Sequence, residues 1–111
     1  MLVLCAYYEG DVPEADRQRF DDHVENTHLP LVAGYPGLKS LRYFKGTPWN
    51  GKEPDYYLAF ELTFETNADF ERAMGSEIRY TARDDVGNFL PMFEGEVRHV
   101  LYEVEDVPVK Q

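Results

Sequence analysis

The chain opens on Leu2-Val3-Leu4-Cys5-Ala6-Tyr7-Tyr8, a run with no charge and no turn residue, closed by Glu9-Gly10-Asp11. Its length and ending are those of a strand, in which side chains alternate between two faces. Leu2, Leu4, Ala6 and Tyr8 fall on one face; Val3, Cys5 and Tyr7 fall on the other. A strand apolar on both faces must be covered on both. The chain has 111 residues, enough for one domain with one modest core. Its own helices can cover one face of such a sheet, and the other face then calls for a second copy of the chain.

The remaining elements follow in order. Asp11-Val12-Pro13-Glu14 suits the first turn of a helix. At helical spacing Phe20, Val24, Thr27, His28 and Leu31 share a face, which points toward the core and takes His28 with it. Pro30 lacks an N–H and pushes Leu29 away from helical angles, so the helix should bend or restart near residues 27–30. Pro36-Gly37 is a turn, and residues 38–46 read as a strand with Leu41 and Tyr43 opposite Ser40, Arg42 and Phe44. Residues 46–54 are turn chemistry longer than a tight hairpin loop, and they carry the lone tryptophan, Trp49.

Residues 55–65 form the clearest strand, with Tyr56, Leu58, Phe60, Leu62 and Phe64 facing one way and Tyr57, Ala59, Glu61 and Thr63 the other. Thr66-Asn67 caps a helix ending near Gly75. A second helical piece over residues 76–89 puts Ile78, Ala82, Asp85 and Phe89 on one face. Gly95 leads into a last strand at 97–104, and residues 105–111 are a polar tail. The order is βαββαβ, which predicts an α+β, ferredoxin-like domain over residues 1–111 with helices on one face of an antiparallel sheet. The face bearing Val3, Cys5 and Tyr7 is too apolar for water, so two sheets should pack face to face as a homodimeric α+β barrel.

Charge narrows the partners. A formal net charge of -10 and a pI near 4.6 argue against nucleic acid and anionic membranes. No apolar run has transmembrane length, and the Met1 end lacks the basic flank of a signal peptide. Cys5 is the only cysteine, so no intrachain disulfide or cysteine cluster can form, and a reducing compartment such as the cytoplasm fits.

The chemistry-bearing candidates are few. His28 with Asp85 is the catalytic pair: a carboxylate beside an imidazole fixes its tautomer and raises its basicity. The same residues also fit a core histidine and a helix-end brace. Tyr7, Tyr43, Tyr57 and Trp49 could line an aromatic ligand pocket or serve as core and interface packing, and Asn88 and Phe89 belong to the ligand-contacting set. His23 reads as a solvated helix residue. A three-histidine site with His99 would need His23 to turn inward, so no metal is expected. Cys5 reads as a small core residue. There is no phosphate loop, nucleophile elbow or dinucleotide fingerprint, and no cofactor is expected.

Phe20 followed by His28-Leu29-Pro30-Leu31, then Pro36-Gly37-Leu38, the segment Tyr57 to Phe64, and Asp85-Val86-Gly87-Asn88-Phe89 together resemble the EthD family of dimeric α+β barrel proteins. The resemblance spans nearly the whole chain in the right order. It implies a homodimer with a pocket between sheet and helices near His28. The family is named for a component associated with bacterial ether degradation. Similar barrels, such as methylmuconolactone isomerases and relatives in fungal polyketide pathways, carry out cofactor-free proton chemistry on small cyclic compounds. The function expected is binding of a compact, apolar or aromatic organic molecule. Catalysis, if present, would be an isomerase, lyase or decarboxylase reaction with His28 as acid or base and Asp85 orienting it. A non-catalytic accessory binding protein and a cofactor-free monooxygenase are the alternatives.

Overall fold

A computed structural model describes residues 1–111. Strand β1 (Leu2–Asp11) leads through a 3₁₀ turn (Glu14–Asp16) into helix α1 (Arg17–His23), a π turn (Val24–His28) and helix α2 (Leu29–Val32). Strands β2 (Ser40–Lys45) and β3 (Tyr56–Phe64) follow, then helices α3 (Asn67–Met74) and α4 (Glu77–Asp85), two 3₁₀ turns, and strand β4 (Glu94–Glu103). The sheet order is β2-β3-β1-β4 and every pairing is antiparallel. This is the ferredoxin-like α+β arrangement, with the helices on one face. No helix is long and apolar enough to cross a membrane.

The first helix does not stop at the proline. It widens instead: the N–H of Leu29 donates to the carbonyl of Val24, five residues back. A π turn of this kind holds one more residue than an α turn. It lets the chain pass Pro30, which has no N–H to give and sits in the first turn of α2. A smooth continuation thus replaces the expected bend or restart.

The helix side of the sheet carries Ala6, Tyr8, Leu58, Phe60, Leu62 and Phe64, all buried. Phe20, Val24, Phe89 and Phe93 close over them, with Tyr8 against Phe20, Phe60, Phe89 and Phe93 at centroid distances of 5.4–6.5 Å. Burial of each large apolar side chain here stabilises the fold by roughly 1.5–3 kcal/mol. The two later helices begin on hydroxyl caps: Thr66 accepts from the Asp69 N–H at 3.1 Å, and Ser76 from that of Arg79 at 3.4 Å.

Two backbone features depart from the expected register. Gly10 does not end β1; it pairs with Gly95 of β4, and β1 runs on to Asp11. The strands are so close that a Cβ on Gly10 would lie 2.1 Å from the carbonyl oxygen of Glu94. Further along, the β1–β3 register shifts between Tyr8 and Glu9, so that Tyr8 faces Leu58 while Glu9 faces Tyr56. One residue, Tyr57, is extra, as in a bulge. Its effect is to reverse two side chains relative to a regular strand. Tyr57 turns under the helices, edge-on to Phe20 at 5.6 Å, and Tyr56 joins Tyr7 on the open face at 5.9 Å.

That open face carries Val3, Cys5, Tyr7, Val100 and Tyr102, with Phe44 and Tyr56 toward β2 and the hairpin. Phe44, Tyr56, Val100 and Tyr102 are exposed, and the Tyr7 and Tyr102 hydroxyls are 3.1 Å apart. Salt bridges Arg42–Glu61 and Arg98–Glu9 flank the strip. Beyond β2, Trp49 and Lys52 close a tight turn over Asn50 and Gly51, both left-handed (φ 54 and 72), as an Asn-Gly hairpin requires. The long loop is thus tipped by a tight turn, and Trp49 beside it is 81% exposed.

Candidate functional site

The widened turn of the first helix builds the site. In an α-helix, with about 3.6 residues per turn, residues five apart point in different directions. Stretching that turn returns the fifth residue to the same side, and His23 and His28 both reach Asp85 at the end of α4. His23 Nε2 lies 2.9 and 3.0 Å from the two carboxylate oxygens, and His28 Nδ1 lies 3.1 Å from Oδ2. Asn88 Nδ2 donates to Oδ1 at 2.9 Å. An ionised carboxylate can only accept, so both ring nitrogens carry their protons toward it.

Burial works to raise the pKa of Asp85. The hydrogen bonds from Asn88, His23 and His28 outweigh it, and the carboxyl is held below its ordinary range. His28 is buried at 4% exposure, and burial lowers its pKa against the opposing pull of Asp85. The imidazole is therefore neutral near pH 7, with its proton on Nδ1 and a lone pair on Nε2. No fully buried side-chain nitrogen or oxygen lacks a hydrogen-bond partner, and Nε2 has none. It therefore retains some accessible surface, and His28 lines a cavity of about 350 Å³.

This cavity lies between sheet and helices. Leu4, Ala6, Tyr8, Phe60, Leu62 and Val97 form its floor, and Val32, Ala82, Val86 and Leu90 its roof. The polar groups in its wall are few: His28 at one place, and Tyr35, Arg79, Arg83 and His99 elsewhere. A mostly apolar space of this size with a few polar groups is the usual form of a small-molecule site. Phe89 packs on the His28 ring at 4.7 Å, behind it.

The other expected ligand-contacting residues are dispersed. Tyr43 and Tyr57 line a separate, wetter groove of about 590 Å³ with Asp11, Arg17, Asp21 and Lys45. Their hydroxyls donate to Glu25 at 3.3 Å and Asp21 at 2.8 Å. Burial, reinforced by these carboxylates, raises both phenols, so neither is poised to give up a proton. Although larger, this groove is mostly polar and its two tyrosine hydroxyls are already bonded to carboxylates, and the His28 cavity is the better candidate. Tyr7 belongs to the open sheet face, and Trp49 to the hairpin tip. Asn88 touches Asp85 rather than the cavity.

His23 is the residue the sequence reading placed in solvent and the structure places on Asp85. His99 lines the far wall of the cavity, with its pKa lowered by burial and by Arg79. No group of three His, Cys, Asp or Glu side chains is arranged to hold a metal ion. The oxygens of Asp85 already accept three N–H donors.

An antiparallel β2-β3-β1-β4 sheet, helices on one face and a paired histidine above an apolar cavity define a ferredoxin-like domain with room for a small organic molecule. The chain belongs to the EthD family, whose EthD domain matches residues 12–91. Over 75 residues it is 35% identical to an uncharacterised 11.0 kDa protein from the thcB-thcC intergenic region of Rhodococcus erythropolis, covering 68% of this chain and 73% of that one. Its fold is similar to that of an ethyl tert-butyl ether d (EthD) family protein of Bacillus halodurans, with a TM-score of 0.79 at 28% identity, over 95% of this chain and 99% of that one. A Streptomyces coelicolor monooxygenase solved with nanaomycin D shares the fold at 14% identity, with a TM-score of 0.64 over 99% of this chain and 92% of the other.

Proposed function

We propose that this protein is a homodimer that binds a compact, largely apolar or aromatic organic molecule in the His28 cavity and moves a proton on it without a cofactor. The observation that carries the reading is a neutral imidazole in the wall of an apolar cavity, with its Nδ1 fixed on a buried carboxylate. Nε2 would take a proton from an acidic C–H or O–H of the ligand. Asp85 would stabilise the imidazolium that forms, and return of the proton to a different atom completes an isomerisation. Apolar walls strengthen that electrostatic support by excluding water.

The test follows the proton. Small lactones, phenols and polyketide fragments are screened by NMR, and those that shift the His28 ring are incubated in D₂O. Deuterium should enter the bound compound with the parent protein and fall by about two orders of magnitude with His28→Gln, while binding persists. Binding by both proteins without exchange in either would make this an accessory binding protein instead. Because burial keeps the base form available, exchange should be full above about pH 6.5 and decline as His28 takes up a proton in acid.

The dimer rests on the open face, where Phe44, Tyr56, Val100 and Tyr102 are exposed beside Val3, Cys5 and Tyr7. An apolar strip flanked by salt bridges resembles the core and rim of a protein interface. Sedimentation at micromolar concentration should give twice the 12.9 kDa chain mass, and Val100→Lys should shift the protein toward monomer. A parent that sediments as one chain would leave that face without a partner.

A further inference from the structure

The cavity wall holds two cations that the proton chemistry does not use. The chain has 11 basic and 21 acidic side chains, so a carboxylate is available to almost any cation. Arg17, Arg19, Lys39, Arg42, Lys45, Lys52, Arg72 and Arg98 all have one. The three that do not are Arg79, Arg83 and Lys110 of the tail, and both unpaired arginines line the His28 cavity.

Their placement has a cost. Arg79 and Arg83 are four residues apart on α4, where like charges repel. Their guanidinium carbons lie 5.7 and 5.1 Å from the centroid of the Tyr80 ring, within cation–π range. Arg79 also donates from Nη1 to the Met74 carbonyl at 3.1 Å, and further N–H groups remain on each guanidinium. Tyr35 and His99, lining the same cavity, supply neutral hydrogen-bonding groups. A site that concentrates unpaired guanidinium in a chain so rich in acid is complementary to an anion.

We infer that the molecule taken by the His28 cavity is an organic acid, with an apolar or aromatic body and a carboxylate, phenolate or enolate oxygen held by Arg79 and Arg83. The inference rests on the cavity being the binding site proposed above. It also orients the ligand: its anionic end lies at α4 and its body runs across Phe60 and Ala6, within reach of His28. With the negative charge held at α4, the base is left facing an uncharged part of the molecule.

A matched pair of probes tests this. 2-Naphthoate and its neutral isostere 2-naphthamide are titrated into the parent protein at pH 7.5, following the His28 and Arg79 side-chain resonances. The acid should bind at least tenfold more tightly than the amide, and raising the salt should narrow the gap. Arg79→Gln/Arg83→Gln should bring the two probes to equal affinity, while Arg79→Lys/Arg83→Lys, which keeps the charges, should preserve a preference for the acid. Equal affinities in the parent, or a preference that survives in the glutamine variant, would overturn the assignment and leave the cavity as a neutral-ligand site. If neither probe moves the His28 resonances, the cavity reading fails, and this inference fails with it.

Discussion

Asp85→Ala should lower the stability of the protein by about 2–4 kcal/mol and the melting temperature by roughly 10–20 °C. The reason is accounting of donors. Asp85 accepts from His23, His28 and Asn88, and its side chain is 8% exposed. With the carboxylate gone, His28 keeps a buried Nδ1–H with nothing to receive it. His23, whose side chain is 25% exposed, can turn to water. Asp85→Asn should cost less, about 1–2 kcal/mol, because the shape is kept. Its amide NH₂ must find an acceptor, and the two ring nitrogens within reach are Nδ1 of His28 and Nε2 of His23. Whichever ring accepts must carry its proton on its other nitrogen, and ¹⁵N shifts of the two imidazoles should report the change of tautomer. An Asp85→Ala variant that melts with the parent would show that the three donors are satisfied elsewhere.

The same network sets the response to acid. The folded pKa of Asp85 lies below its unfolded value, so its stabilisation is complete above about pH 4 and is lost as the pH falls through the folded pKa. The folded pKa of His28 is also lowered, so the unfolded chain takes up that proton first. Stability from this group is complete above about pH 6.5 and declines as the pH drops below it. Both contributions have the same sign, and the stability supplied by this network should be flat above about pH 6.5 and fall on the acid side.

Gly10→Ala should be comparably severe, at about 3 kcal/mol or more. Gly10 has a φ of 139, a region almost closed to residues with a side chain, and the new methyl would sit 2.1 Å from the Glu94 carbonyl oxygen. Relief requires β1 and β4 to separate at their paired glycines, near Val97 and the cavity floor. Gly87→Ala is the control: nothing lies within 4 Å of its added Cβ, and its melting should be unchanged. Equal melting of the two variants would mean that the close approach of β1 and β4 is not needed for stability.

The sequence made the element order legible because alternation and helical spacing are local properties. It also pointed to His28 and Asp85, whose types and positions carried the EthD resemblance. His23 was hidden by an assumption of regular helix, in which a fifth residue leaves the face. The sign that could have exposed it is Pro30, two residues beyond His28, where a widened turn relieves a helix. Tyr56 and Tyr57 exchanged faces because a bulge adds a residue that alternation cannot anticipate. Gly10 read as a terminator because a glycine that ends a strand and one that lets two strands touch are the same letter. The arginines were missed because a cation is unpaired only relative to neighbours brought in by the fold.

The exposed Trp49 has a practical consequence for anyone following these changes by light. The chain has one indole, and in the single subunit it already stands 81% in water at a hairpin tip. Unfolding has little further solvent to give it, so tryptophan emission from an isolated subunit would stay nearly constant while the core around Phe20 and Phe89 comes apart. Circular dichroism, or the signal of the buried Tyr8, would follow the core. A tryptophan emission that shifts with protein concentration would instead report something covering the hairpin, separating assembly from folding in a single cuvette.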